Sequence, residues 1–266
     1  MEGKAMWTQC VEPRPFAARR LICFPHAGGS PYFFRSWSRS LTDHEVHSVC
    51  YPGRAERIAE PPATELVPMA RRIAEAVRPL LDGRPTALFG HSMGAIVAYE
   101  VAGALEDEGL EVAHLFASSA RAPRLMRPDP DAAAAWDEKS IAETLIELGG
   151  TDAELLRNPA FVELVMPYID ADFRMLASYG PHRAAPLRCP VTALVGDRDP
   201  RVDAGQVSAW KESTRGRFRM RTLPGDHFYL ASEPPFAVIG EAWERETAGP
   251  GTSRRGGRPD PATGRG

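Results

Sequence analysis

"ALFGHSMGAIVAYEV" (residues 87–101) runs from an apolar strand through a glycine-boxed serine into a helical stretch. Its centre, Gly90-His91-Ser92-Met93-Gly94, fits the pattern G-x-S-x-G. The bare pattern is weak, because in a chain with 23 glycines two can fall around a serine by chance. Context makes it specific. "TALF" reads as a buried strand and a helix opens at Met93, the strand–turn–helix setting of a nucleophile elbow. A turn this tight strains the serine backbone, and its flanking positions must be small so that neighbouring backbone can approach. The hydroxyl then projects above the carboxyl edge of a sheet. The helix N-terminus beside it offers free N–H groups and a positive dipole end to a developing oxyanion.

The same alternation extends outward in both directions. "RRLICFP" (19–25), "VHSVCYP" (46–52), "VAHLFASS" (112–119), "PVTALVG" (190–196) and "RFRMRTL" (217–223) read as further strands. Helical spacing marks 31–41, 66–81, 93–109, 204–214 and 234–246. Strands alternating with helices imply βαβ units, hence an α/β fold with a mostly parallel central sheet and helices on both faces. Between Ala122 and Pro186 the rhythm breaks and no strand is expected. "SIAETLIELGG" and "TDAELLRN" open with capping-box pairs, Ser140 with Glu143 and Thr151 with Glu154, and 159–179 is a longer helical stretch. The expected organisation is an irregular N-terminal arm (1–18), a core formed by 19–122 with 187–246, a helical insertion (123–186) and a disordered Gly/Pro/Arg-rich tail (247–266).

The chain has 266 residues and a net charge of −3, with 43% hydrophobic and 25% charged residues, ordinary for one large globular domain. That charge argues against nucleic-acid binding by bulk electrostatics. No apolar run is long enough to span a bilayer, and the N-terminus has no signal-like apolar segment, so a cytoplasmic, non-membrane protein is expected. The four cysteines are scattered without a C-x-x-C pair, which fits reduced structural thiols better than disulfides or a metal site. No metal or other cofactor is expected.

A serine hydroxyl needs a base. Of seven histidines, His44 and His47 fall in a polar connection, His114 in a strand, His182 in the insertion and His91 in the elbow. His227, in "LPGDHFYL" (223–230), follows the last strand and so lies on the same sheet edge as Ser92. A carboxylate must then orient the imidazole. "VTALVG" is followed by Asp197-Arg198-Asp199-Pro200, with Asp203 close behind. Asp197 would still point along its strand, whereas Asp199 can reach across toward His227 and is preferred. The loop after the preceding strand, "SSARAPR", contains no acid. The order Ser92, Asp199, His227 is that of an α/β-hydrolase. For the oxyanion, one donor is the Met93 N–H directly after the serine. The other is the Ala27 N–H in "CFPHAGGSPYFF" (23–34), whose two glycines let the loop come near a substrate.

With these pieces assembled, the chain resembles the type II thioesterases that accompany polyketide synthases and nonribosomal peptide synthetases. The matching stretches are "FPHAGGSPYFFRSW", "YPGRAERIAEPP", "LFGHSMGAIVAYEVA", "LVGDRDPRV" and "LPGDHFYL", in order from about residue 21 to 235. The resemblance implies hydrolysis of acyl groups from the 4′-phosphopantetheine arm of acyl or peptidyl carrier proteins, editing stalled or misprimed synthases. It implies Ser92, Asp199 and His227 as triad, Ala27 and Met93 as oxyanion donors, the insertion as a lid, and a monomer whose partners are those carrier proteins. Two rivals stay open: a small-ester carboxylesterase or lipase on the same fold, and a non-catalytic scaffold that binds carrier proteins. Arg54 and Arg57 could line a basic rim for an acidic carrier or serve as structural ion pairs.

Overall fold

The apolar runs of the sequence form a seven-stranded sheet in the computed structural model, which describes residues 6–129, 131, 141, 144 and 158–247. The strands are β1 (Thr8–Gln9), β2 (Arg19–Phe24), β3 (His44–Val49), β4 (Thr86–His91), β5 (His114–Ser118), β6 (Val191–Gly196) and β7 (Phe218–Leu223). They lie in the order β1-β3-β2-β4-β5-β6-β7. β1 pairs antiparallel with β3, and every other pairing is parallel. Strands β3 to β6 are buried throughout and β2 all but throughout, which accounts for the largely apolar sequences of β2, β4, β5 and β6.

The chain passes from β2 to β3 on one side, then crosses back to place β4 on the other. A crevice therefore opens between the carboxyl ends of β2 and β4, the place where open parallel sheets bind ligands. The register sets Phe24 opposite Gly90, so the loop after β2 and the loop after β4 leave the sheet side by side.

Helices connect the strands: α1 (Trp37–Ser40), α2 (Leu66–Val77), α3 (Met93–Asp107), α4 (Pro159–Ala177), α5 (Ala204–Ser208) and α6 (Tyr229–Ser232). α3 is apolar nearly all round and correspondingly buried from Met93 to Gly103. α4 opens with Asn158, whose side chain accepts from the N–H groups of Ala160 and Phe161. The chain divides into two units, Met1–Pro234 and Pro235–Gly266; the sheet lies in the first, and the described part of the second is helix α7 (Phe236–Thr247).

Several elements differ from expectation. The N-terminal arm is not wholly irregular: Thr8 and Gln9 pair with Val49 and Ser48, completing the edge of β3. β3 begins at His44 rather than Val46 and stops at Val49. Its polar start is tolerated because Arg20 stands opposite Glu45 and donates to it at 2.8 Å, with Arg84 at 3.3 Å. The helix expected at 31–41 is a 3-10 turn (Pro31–Phe34) followed by the single turn of α1. α2 tightens into a 3-10 turn at Arg78–Leu80, where Pro79 has no N–H to give. The capping-box segments at 140–143 and 151–154 and the tail beyond Thr247 lie outside the described residues. Among the described residues no helix is long and apolar enough to cross a membrane.

Candidate active site

The turn from β4 to α3 is as tight as its sequence implies. Ser92 has φ 54° and ψ −122°, a left-handed conformation costly for a side chain with a Cβ. Its N–H donates to the Ser118 carbonyl at the end of β5, and its carbonyl accepts from Ala95, each near 2.9 Å or shorter. The two glycines are required by close approach. A Cβ on Gly90 would stand 2.2 Å from the Gly94 oxygen, and one on Gly94 would stand 2.1 Å from the Phe24 oxygen. The second contact holds the end of β2 against the first turn of α3. Among the described residues the Ser92 hydroxyl has no hydrogen-bond partner.

His227 comes from a loop that crosses the sheet edge from β7 toward β4. Over the end of β6 the loop presses against Gly196, where a Cβ would lie 2.2 Å from the Asp226 oxygen. Backbone bonds lace the two loops: Asp197 N–H to Leu223, Arg198 N–H to Gly225, and Gly225 N–H to the Asp197 carboxylate. Over the end of β5, Tyr229 and Ser118 join hydroxyls at 2.8 Å. The His227 ring then reaches the His91 ring, 5.3 Å between centroids, one residue from Ser92.

Asp199 and His227 are brought together. Nδ1 of His227 contacts both carboxylate oxygens, at 3.0 and 2.9 Å, and both side chains are buried. Asp199 Oδ1 also accepts the N–H groups of Arg201 and Val202. Burial alone would raise its carboxyl, but the hydrogen bond and charge of His227 and the Arg201 N–H outweigh it and hold the group below the ordinary aspartate value. The two other acids do different work. Asp197 ties down Gly225, and Asp203 caps α5 in a reciprocal box with Gln206.

Two further imidazoles, not singled out by the sequence, stand beside His227. His26 packs on Phe33 (4.8 Å), Phe228 (4.6 Å) and His91 (5.9 Å). Burial, then the His227 and Arg54 charges, lowers His26 to about 3. Burial, then His227 and His26, lowers His91 well below the usual histidine value, while its Nδ1 meets Ser118 Oγ at 2.9 Å. At neutral pH both are uncharged, and of the three rings only His227 has a carboxylate partner. The signal for this cage was present in "FPHAGG" and "DHFYL", but as ordinary aromatic content.

The N–H of Met93, first in α3, has no helical acceptor, and neither it nor the Ala27 N–H has a partner among the described residues. The two glycines after Ala27 have theirs engaged, Gly28 with Asp172 and Gly29 with the His26 carbonyl. Ala27 and Met93 thus offer free donors from the two sides of the crevice.

Arg54 and Arg57 do not form an exposed rim. They are 1% and 4% exposed. Arg54 pairs with Asp172 on α4; Arg57 pairs with Glu60, donates to the Cys50 carbonyl and lies 3.7 Å over the Trp7 ring. Among the described residues one cluster has metal-ligand types within 4.8 Å, namely Cys10, Glu45 and His47. Its carboxylate is already held by Arg20 and Arg84, whose charges repel a cation.

The chain is similar to known thioesterases. Thioesterase PikA5 of Streptomyces venezuelae is 38% identical over 228 residues, 85% of this chain and 80% of that protein. The structure of the type II thioesterase BorB from the borrelidin biosynthetic cluster matches with a TM-score of 0.80 at 34% identity, over 89% of this chain and 97% of the other. RedJ, a thioesterase from the prodiginine pathway in Streptomyces coelicolor, matches with a TM-score of 0.78 at 37% identity, over 86% and 87%. The family model for the thioesterase domain matches residues 19–242, a span that takes in the elbow, the Asp199–His227 pair and the Ala27 loop, and the chain belongs to the thioesterase family.

Proposed function

We propose that the protein releases acyl groups from the phosphopantetheine arm of acyl or peptidyl carrier proteins, clearing stalled or misprimed units in polyketide and nonribosomal peptide synthesis. Ser92 is the nucleophile, His227 the base, Asp199 the group that orients and steadies the imidazole, and the Ala27 and Met93 N–H groups the oxyanion hole. The observation that carries this reading is the buried Asp199–His227 pair delivered to the elbow. The Nδ1 bond to an ionised carboxylate leaves Nε2 to take the hydroxyl proton as Ser92 attacks the thioester carbon. Negative charge moves to the carbonyl oxygen and is met by two donors that give up no protein bond to reach it. Collapse breaks the C–S bond and leaves the acyl group on Ser92 Oγ, and the departing pantetheine sulfur takes the proton from the His227 imidazolium. The neutral imidazole then deprotonates a water that attacks the acyl ester, and returns that proton to Ser92 Oγ as the acid leaves. The neighbouring imidazoles are weaker bases, because burial disfavours their charged forms, and so do not compete for the proton.

The test loads acetyl and longer acyl groups on a phosphopantetheinylated carrier protein and compares release by wild type and Ser92→Ala. Loss of release in the variant is expected. Equal release by both would remove the nucleophile assignment, and fast p-nitrophenyl ester cleavage without carrier-bound turnover would favour a small-ester esterase.

A further inference from the structure

We infer that Arg54 and Asp172 are positioning residues for the oxyanion hole: their buried ion pair, bridging the loop after β3 and helix α4, fixes the backbone that presents the Ala27 N–H. The inference rests on the proposed role of Ala27 as an oxyanion donor.

The geometry converges on residues 25–29. Arg54 grips Asp172 through two bonds, Nη1 to Oδ2 at 2.6 Å and Nη2 to Oδ1 at 2.8 Å. Each partner also holds the loop. Asp172 Oδ2 accepts the Gly28 N–H at 2.8 Å, and Arg54 Nη1 donates to the Gly29 carbonyl at 3.1 Å. Gly29 in turn donates its N–H to the His26 carbonyl at 2.9 Å. That carbonyl and the Ala27 N–H belong to one trans peptide plane, so fixing one aims the other in the opposite direction. Tyr51, against whose ring Arg54 lies at 5.2 Å, donates its hydroxyl to the Pro25 carbonyl at 3.0 Å. The loop is therefore tied at 25, 26, 28 and 29, and the Ala27 N–H is left free.

The pair is also badly placed to be merely stabilising. Its side chains are 2% and 1% exposed. Desolvating two charges so completely costs about as much as their attraction returns, and apolar residues of the same volume commonly do as well. An ion pair that gives little net stability yet bonds two backbone groups of the loop beside a reaction site, the Gly28 N–H and the Gly29 carbonyl, acts through geometry. Gly28 makes the fit close: its φ is +75°, and a Cβ there would meet Ile169 on α4 at 3.1 Å.

The test uses Asp172→Asn and Arg54→Lys in the full chain, assayed well below each variant's melting temperature. Two pantetheine-based probes separate ground state from oxyanion: a non-hydrolysable acyl thioether, and a trifluoromethyl ketone that Ser92 adds to, giving a tetrahedral oxyanion. In both variants kcat and ketone affinity should fall together by about 10- to 100-fold, while KM and thioether affinity change less than about threefold. Lysine is not a conservative replacement here because it cannot make the fork-like bidentate contact. If Asp172→Asn fails to fold, Arg54→Lys carries the comparison. A variant that melts earlier yet keeps wild-type kcat and ketone affinity overturns the inference. If wild type does not bind the ketone through Ser92, or Ser92→Ala retains turnover, the underlying assignment falls instead.

Discussion

His227 Nδ1 sits 3.0 and 2.9 Å from the two oxygens of Asp199, while Asp197, two residues earlier on the same turn, spends its carboxylate on the Gly225 N–H. Asp199→Asn should therefore lower kcat by roughly 10²- to 10⁴-fold by disturbing the imidazole tautomer. Asp197→Asn weakens one exposed loop contact and should cost less than about tenfold. Steady-state thioester hydrolysis by the two variants distinguishes them, and equal losses would contradict the division of labour.

How much of this was legible in the sequence follows from the range over which each signal acts. The elbow is local: strand, small residues and helix lie within fifteen positions, so its shape could be read directly from residues 87–101. Asp199 and His227 each follow a strand in a parallel sheet, and the α/β order alone puts them on one edge. Ion pairing was one of two readings open for Arg54, but its partner was not legible, because Asp172 lies 118 positions away on α4. Glu45 misled for a similar reason. This acid joins a buried strand because Arg20 and Arg84 arrive from elsewhere to pair it.

Arg57 tests whether basic residues near the site serve stability or docking. Its guanidinium is buried, stacked on Trp7 and bonded to Glu60 and the Cys50 carbonyl. Arg57→Ala should destabilise the fold by about 2–3 kcal/mol through lost packing and an orphaned carbonyl. Below its melting temperature the KM for an acylated carrier protein should be unchanged. A raised KM at unchanged denaturation midpoint would restore a docking role.

Glycine contacts make opposite predictions at two positions. Gly94→Ala drives a Cβ to 2.1 Å from the Phe24 oxygen, a clash between two backbone segments that cannot yield cheaply. A loss of about 3 kcal/mol or more is expected by urea denaturation. Gly240→Ala, in helix α7, meets nothing within 4 Å, and should stabilise by roughly 0.5–1 kcal/mol through helix propensity.

Acid should weaken the fold through His26. The ring's folded value of about 3 lies below the usual 6.5, so between them the unfolded chain binds a proton that the folded chain refuses. This contribution is complete above pH 6.5 and is lost as pH falls toward 3. Asp199, held below the ordinary 3.8, adds to the loss only at still lower pH. Thermal melts of wild type should drop between pH 7 and 4.5, and His26→Gln should show a shallower drop over that interval. Parallel slopes would exclude His26 as the source.

The loop that carries His227 begins at β7, the edge strand farthest from β1, and spans the ends of β6 and β5 before it reaches the elbow. Ser92 is secured within the middle of the sheet, but His227, the imidazole proposed as its base, is delivered from the rim. Fraying of that outermost strand would leave the serine correctly shaped and chemically inert, so turnover should fade on heating before the bulk of the secondary structure melts. Enzymatic activity then becomes a local thermometer for one strand rather than a gauge of the whole molecule.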